Sequence, residues 1–246
     1  MKIIGSDYDG TLNHNGIDDK KKAAIEKWRK AGNIFALISG RGPDSVLELY
    51  EEKQFGCDYL IANNGAVILK TDATVEFSAK CDGGLALPLI RHLFDNGCPW
   101  AHVQTAFECR VFANGEDCTE DGHYTLDNVP EIPYFTQIST QLPTFEESAR
   151  VTAAATEAFG DRLNPLQNGE CIDIVRKDIN KAEGLYRLVE ILGASEEDVI
   201  AVGDNINDRD MIAQFRSYAM ENGVDSIKAL ADYVTPGIAE LIEKEL

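Results

Sequence analysis

No run of this chain suggests a membrane span. The longest stretch without Asp, Glu, Lys or Arg, residues 132–145, is broken by Thr, Gln and Ser, and a spanning helix needs roughly 20 apolar residues. Proline is scarce at 8 of 246 residues, glycine stands at 20 and no biased tract occurs, which excludes a collagen-like, disordered or coiled-coil chain. After Met1-Lys2-Ile3-Ile4 the chain meets Gly5, Ser6 and Asp7 instead of the apolar run of about 7–15 residues that marks a secretory leader, so a cytoplasmic location is expected. Cys-x-x-Cys is absent and no histidine stands at zinc-ligand spacing. Cys57, Cys81, Cys98, Cys109, Cys118 and Cys171 therefore read as buried reduced thiols, not a disulfide framework. Basic charge is short as well: 23 Lys and Arg against 42 Asp and Glu leave a net charge of −19. That balance argues against nucleic acid or an anionic membrane as partner, since both ask for a basic face.

What is present is ordinary for a globular protein, with 44% hydrophobic and 26% charged residues. The length exceeds the roughly 100–200 residues of one domain, so a core carrying an insertion is a natural expectation. The rhythm of the chain supports it. Over residues 1–80, apolar runs at 2–6, 33–39 and 59–62 alternate with helical patterns, the order of parallel βαβ units with right-handed crossovers. Asp18 or Asp19 can cap the first helix, whose stripe is Ala24, Ile25, Trp28 and Ala31 before Gly32, and Pro43 can open the second. Residues 66–69 and 74–77 read as a hairpin-like excursion leaving the sheet.

Over 81–178 the pattern changes. Helices are expected at 84–95 and 145–159, and strands at 99–104, 108–113, 134–141, 162–166 and 171–175, with a Gly/Asp/Asn-rich irregular stretch between them: a small α+β layer. The α/β rhythm returns over 179–246, with a helix at 181–192, a strand at 198–202, a helix from about Asn207, then two short strands and two helices. The fold class is thus α/β, a doubly wound, Rossmann-like parallel-sheet core (1–80 and 179–246) with an inserted α+β cap (81–178).

The sharpest chemical signal is Asp7-Tyr8-Asp9-Gly10-Thr11, directly after the first apolar run. In an extended segment, residues i and i+2 project to one side about 6.6 Å apart, so both carboxylates can meet one site at the carboxyl edge of the sheet, where doubly wound folds bind ligands. Gly10 permits the sharp turn, and Thr11 supplies a hydroxyl and a backbone N–H. A strand end with acidic turn residues accounts for the bare pair as well. A second pair, Asp204 and Asp208 in Gly203-Asp204-Asn205-Ile206-Asn207-Asp208, again follows an apolar strand; an N-cap beside a solvated Asp is the plain alternative. Together the pairs place too much negative charge in one pocket without a cation, and oxygen-only ligands favour Mg²⁺, which commonly bridges to a phosphate. Screening over about 8 Å leaves such a cation in charge of the local field despite the acidic surface. Ser39-Gly40-Arg41 ends the second strand ahead of a helix, the usual setting for an anion. Lys181 opens a helix, where the macrodipole opposes a cation, so it needs a partner unless it is simply solvated beside Asp178.

Asp-x-Asp-Gly-Thr, Ser-Gly-Arg, Asn-Lys-Ala-x-Gly-Leu and Gly-Asp-x-x-Asn-Asp-x-x-Met, in this order, resemble the haloacid dehalogenase-like phosphatases, most closely the Cof-type hydrolases with a cap inserted after the third core strand. Ala62-Asn63-Asn64-Gly65-Ala66 and Ala219-Met220-Glu221-Asn222 add to the likeness. The chain departs from the pattern at Thr235-Pro236-Gly237, which leads into the last helix without the usual Asn/Glu-Asp-Gly loop. The resemblance implies a Mg²⁺-dependent phosphatase of small phosphorylated metabolites. In it Asp7 is the nucleophile and Asp9 the general acid/base, with Mg²⁺ on Asp7, the Asp9 carbonyl and Asp204, and Asp208 acting through water. Ser39 and Lys181 would bind the transferring phosphoryl group, helped by Asn207, with Thr11, Gly40 and Arg41 lining its site. The cap would close over the core and select the leaving group. A phosphotransferring sugar phosphomutase of the same superfamily would use the same Asp7 and Asp9. A phosphoaspartate signalling module is disfavoured because the acidic nucleophile ends the first strand and a whole domain is inserted, and a non-catalytic Mg²⁺ scaffold because the catalytic set is complete.

Overall fold

The structure, a computed structural model, describes residues 1–114 and 123–246. The chain forms two compact units, Met1–Phe77 with Asn180–Leu246, and Ser78–Ile179. The changes of rhythm in the sequence put the borders at 80/81 and 178/179, within three residues of these.

In the first unit the chain runs through β1 (Ile3–Asp7), α1 (Asp19–Lys30), β2 (Ile34–Ile38), α2 (Pro43–Lys53), β3 (Tyr59–Ala62), β4 (Val67–Lys70) and β5 (Val75–Ser78). Every residue of β1 is buried, as suits a strand covered on both faces. The helix signals act as read. The Asp18 carboxylate accepts from the Lys21 N–H at 2.9 Å, Pro43 opens α2, and Trp28 is buried with its indole N–H donating to the Ile34 carbonyl. Ala31, expected on the buried stripe, is exposed, because α1 ends at Lys30.

The second unit contains β6 (Cys81–Asp82), α3 (Ala86–Asp95), β7 (Trp100–Gln104), β8 (Cys109–Ala113), β9 (His123–Tyr124), β10 (Tyr134–Phe135), β11 (Gln137–Gln141), α4 (Phe145–Phe159), β12 (Leu163–Asn168) and β13 (Cys171–Arg176). Six strands form one sheet in the order β12-β13-β11-β7-β8-β9, and β10 pairs with β6 in a separate two-stranded sheet. The expected strand at 134–141 is therefore two: Thr136 donates its N–H and hydroxyl to the Gln104 carbonyl, and the chain changes sheets there. Along β7, buried Ala101 and Val103 alternate with half-buried Trp100, His102 and Gln104, and the buried set joins Leu89, Leu93, Val151 and Ala155 of α3 and α4 in one apolar cluster.

The first unit resumes with α5 (Lys181–Leu192), β14 (Val199–Gly203), α6 (Arg209–Gln214), β15 (Arg216–Met220), α7 (Asp225–Leu230), β16 (Tyr233–Thr235) and α8 (Ile238–Glu245). Its sheet has the order β16-β15-β14-β1-β2-β3-β4-β5, parallel from β16 to β3. The hairpin of β4 and β5 does not leave this sheet but extends it. β4 pairs antiparallel with β3 from Ala62 to Tyr59, since the left-handed turn Asn63–Gly65 reverses the chain beside its own strand. β1 lies between β14 and β2, and the chain proceeds from it to opposite sides, which makes the carboxyl ends of β1 and β14 the switch point of the sheet.

The cysteines divide. Cys57, Cys81 and Cys98 are buried as expected, but Cys171 is half-buried and Cys109, at the start of β8 just after a turn closed between Thr105 and Glu108, is exposed. No disulfide joins the described cysteines; Cys118 and residues 115–122 of the expected irregular stretch lie outside the described residues, and the described part of that stretch contains the short strand β9. Burial pushes the Cys57 and Cys81 thiols up to about 12, so neither is a thiolate near neutral pH. No helix among the described residues is long and apolar enough to cross a membrane.

Candidate active site

Asp7 is the last residue of β1 and is nearly buried. The chain then leaves the extended conformation at once: Tyr8–Leu12 forms a wide helical turn broken at Asp9 and at Gly10, whose φ is +86°. The same-side geometry of an extended Asp-x-Asp therefore does not apply, and the two carboxylates part. Asp7 faces inward, whereas Asp9 is exposed and both its oxygens are held by Arg41, at 2.8 Å from Nε and 2.9 Å from Nη2. Arg41, expected on an anion, is engaged by Asp9. Glycine is required at position 10, because a Cβ there would lie 2.3 Å from the Asp204 Oδ2.

Lys181 is the partner that Asp7 needs. It is 1% exposed, and its Nζ donates to Asp7 at 2.6 Å and to Asp208 at 2.5 Å. The solvated alternative beside Asp178 does not hold, since Asp178 pairs with Arg176. Placement of Lys181 follows from α5. Asn180 caps that helix through the Glu183 N–H, and Gly184 lets α5 approach the Gly65 Cα, where a Cβ would come within 2.8 Å. Burial works against the ammonium, but Asp208 and Asp7 outweigh it and keep Lys181 charged well above neutrality.

Asp204 and Asp208 share no helix. Asp208 closes the short turn Ile206–Asp208 before α6, fully buried, and its Oδ2 accepts the N–H groups of Asp204 and Asn205 while Oδ1 takes Lys181. One carboxylate thus holds both the lysine and the Asp204 loop. Helix α6 starts at Arg209, after the expected Asn207, which sits half-buried in that turn. The Thr11 hydroxyl, expected toward a phosphate, donates instead to Asp204 Oδ1 at 2.6 Å.

Oxygens of Asp7, Asp204 and Asp208 all lie within 4.8 Å of one another. Burial holds Asp7 well above the usual carboxylate range; Lys181 offsets this in part, while Asp208 and Asp204 add to it. Burial likewise raises Asp204 against the pull of the Thr11 hydroxyl. Three carboxylates sharing one ammonium are short of positive charge, and hard oxygen donors, those of Asp7 and Asp208 buried and that of Asp204 half-buried, fit Mg²⁺. The Asp9 carboxylate is outside this cluster.

Ser39 follows β2 and is buried; its hydroxyl accepts from the Arg41 N–H at 3.1 Å, so the Ser39-Gly40-Arg41 loop closes on itself. The next loop supports it: the Asn64 and Asn63 N–H groups donate to the Ser39 and Arg41 carbonyls, and Asn63 and Asn64 both take positive φ. Asn222 Nδ2 donates to the Gly10 carbonyl at 2.9 Å. The family likeness includes Asn63, Asn64 and Asn222 without implying a role for them, and asparagine-rich, Gly-flanked turns are the signal for the one they have.

Residues 4–240 match the family model of haloacid dehalogenase-like hydrolases. Among curated proteins the chain is similar to the 5-amino-6-(5-phospho-D-ribitylamino)uracil phosphatase YbjI of Escherichia coli, 23% identical over 272 residues, with 100% of this chain and 96% of that one covered. Among solved structures it is similar in fold to a haloacid dehalogenase-like hydrolase from B. subtilis, with a TM-score of 0.84, 20% identity and full coverage of both chains. A subclass IIB sugar phosphatase of the same superfamily aligns with a TM-score of 0.80 and 18% identity, over 100% of this chain and 99% of that one.

Proposed function

The chain belongs to the haloacid dehalogenase-like hydrolases, and from that premise we propose that it is a cytoplasmic, Mg²⁺-dependent phosphatase of small phosphate monoesters, sugar phosphates or similar metabolites, working through a phosphoaspartate at Asp7. The observation that carries this reading is a buried Asp7 carboxylate at a strand end, paired with Lys181 and sharing its wall with Asp204 and Asp208. The names of the relatives support the same class.

Phosphoryl transfer needs positioning and neutralisation more than covalent chemistry from the protein. The Asp7 oxygen turned away from Lys181 attacks phosphorus, the bond from phosphorus to the ester oxygen breaks, and Asp9 delivers a proton to that leaving oxygen. Asp9 then removes a proton from water, whose oxygen attacks phosphorus and releases phosphate from Asp7. Since Asp9 rests on Arg41, its side chain must turn from that pair for each transfer. Lys181, the Ser39 hydroxyl and the backbone N–H groups of Thr11 and Gly40 bear the charge on the phosphoryl oxygens, with Asn207 assisting. The Asp7 and Asp204 carboxylates and the Asp9 carbonyl would hold Mg²⁺, with Asp208 supporting it through water, and the ion would supply further neutralisation of the phosphoryl group. The unit Ser78–Ile179 has the role of selecting the leaving group.

A panel of phosphorylated metabolites assayed for phosphate release, with Mg²⁺ and after exhaustive chelation, tests the reading. Release that depends on Mg²⁺ is expected; release that survives chelation, or a phosphoenzyme trapped at any residue but Asp7, overturns it. Product analysis with a sugar phosphate separates hydrolysis from transfer within the sugar.

A further inference from the structure

Lys21 stands at the third position of α1, where the helix dipole opposes a cation. Its side chain runs back toward the preceding loop, and its Nζ donates to three backbone carbonyls, those of Leu12 at 3.1 Å, His14 at 2.5 Å and Gly16 at 2.7 Å. All three ammonium protons are thereby used. The chain is bent to make this possible: Asn15 and Gly16 both take the left-handed conformation, with φ of +57° and +83°, between Asn13 and the α1 cap at Asp18. A ring of carbonyl oxygens around one compact charge is the coordination a monovalent cation of similar size takes in a protein.

Leu12 is the last residue of the turn Tyr8–Leu12, which carries Asp9, Gly10 and Thr11. Around this turn the bonds are specific, and Arg41 holds both oxygens of Asp9. Asn222 holds the Gly10 carbonyl, the Thr11 hydroxyl holds Asp204, and the Asn13 N–H returns to the Tyr8 carbonyl at 2.9 Å. Lys21 gathers the chain as it leaves, together with the His14 N–H on the Thr11 carbonyl at 3.2 Å and the Gly16 N–H on the Asn13 carbonyl at 3.1 Å. Without its ammonium three carbonyl dipoles converge with no donor between them, a repulsion relieved by loosening residues 12–16 and, through Leu12, the turn itself.

We propose that Lys21 is a positioning residue for the turn Tyr8–Leu12, its ammonium acting as the built-in cation of a backbone carbonyl cage that accepts a free monovalent cation once that ammonium is removed. The consequence for phosphoryl binding rests on the phosphatase reading; the cage itself does not. Lys20, next in the chain, pairs with Glu240 and is left intact by the test.

The test is Lys21→Met, which keeps the aliphatic stem and removes the donors. Amide hydrogen exchange is followed at residues 9–16, with β14 as internal reference, in ammonium chloride and in choline chloride at matched ionic strength. Exchange at 9–16 should speed up about tenfold or more, as loss of a charged hydrogen-bonded group predicts, with β14 unchanged and with ammonium restoring protection. KM for an aryl phosphate should rise more than kcat falls, and ammonium should reverse that as well. Unchanged exchange, loosening that reaches β14 equally, or loosening that ammonium leaves untouched overturns the proposal. If the variant folds only in ammonium, that supports the cage; failure to fold in both salts counts against it. A wild-type protein that releases no phosphate overturns the phosphatase reading, while the exchange measurement still decides the cage.

Discussion

The ammonium of Lys181 meets the carboxylate of Asp7 at 2.6 Å across 174 positions of sequence, with Lys181 sealed from water and Asp7 nearly so. Such a pair is costly to bury, and removing the lysine is costlier still, because it leaves Asp7 and Asp208 buried without their compensating charge. Lys181→Met should therefore lower stability by about 3–5 kcal/mol without Mg²⁺, and added Mg²⁺ should recover part of it by compensating Asp7 and Asp208. Denaturant midpoints with and without the metal measure both effects.

Asp7→Asn should abolish phosphate release while leaving the protein folded. Asn still accepts from Lys181 but cannot serve as nucleophile. Because burial raises the Asp7 pKa in the metal-free fold, the folded state holds that proton more tightly than the unfolded one, and ionising Asp7 at neutral pH weakens the fold. In chelator at pH 7 the variant should melt no lower than wild type; a clearly lower melting temperature counts against this account.

Asp9→Asn should keep Mg²⁺ affinity, since the ligand assigned there is the carbonyl, and lose most turnover with alkyl phosphates. An aryl phosphate with an activated leaving group should be far less affected, because that leaving oxygen needs no proton. Calorimetry and paired kinetics on the two ester classes decide it, with equal loss on both arguing against the acid role.

At Gly10, alanine would place a Cβ 2.3 Å from the Asp204 Oδ2 while holding a φ of +86°. The backbone conformation costs about 1–2 kcal/mol for a residue with a side chain, and the Asp204 carboxylate has to move. Gly10→Ala should weaken Mg²⁺ binding, read by titration calorimetry, by more than its modest loss in melting temperature suggests.

Away from the site, Glu245 is buried against Lys2, Arg216 and the Tyr218 hydroxyl. Burial works against its charge, but these donors outweigh it and hold the carboxyl below the usual glutamate range. A depressed folded pKa gives stability that is present above the unfolded value near 4.5 and lost as pH falls through the folded one. Glu245→Gln should melt about 2–8 °C below wild type at pH 7, from a loss of about 1–2 kcal/mol, and the gap should narrow steadily below pH 4.5. A gap that persists unchanged at pH 3 contradicts the assignment.

Much of the site was readable in advance where the chemistry is local. Asp7 at a strand end, Gly10 at a turn and Ser39 before a helix follow from residue type and position alone, and the structure has them there. For Asp9 the i,i+2 rule fails, because it presumes an extended backbone and the backbone stops being extended at Tyr8. Arg41 and Thr11, expected on an anion, bond instead to carboxylates of this chain, Asp9 and Asp204.

By itself the sequence determined the order of the helices and the longer strands, the return of the α/β rhythm after residue 179 and the acidic ends of β1 and β14, because these depend on apolar periodicity, caps and turn residues acting over a few positions. The tertiary structure alone decided which charges meet. It buried Lys181 between Asp7 and Asp208, sent Asp9 to Arg41, gave Asp208 the task of holding the Asp204 loop, kept the β4 and β5 hairpin in the sheet and curled residues 12–16 around Lys21. The reason is range. A carboxylate's partner and its degree of burial are set by strand register and loop closure between residues far apart in the chain, and no window of sequence contains both members of such a pair.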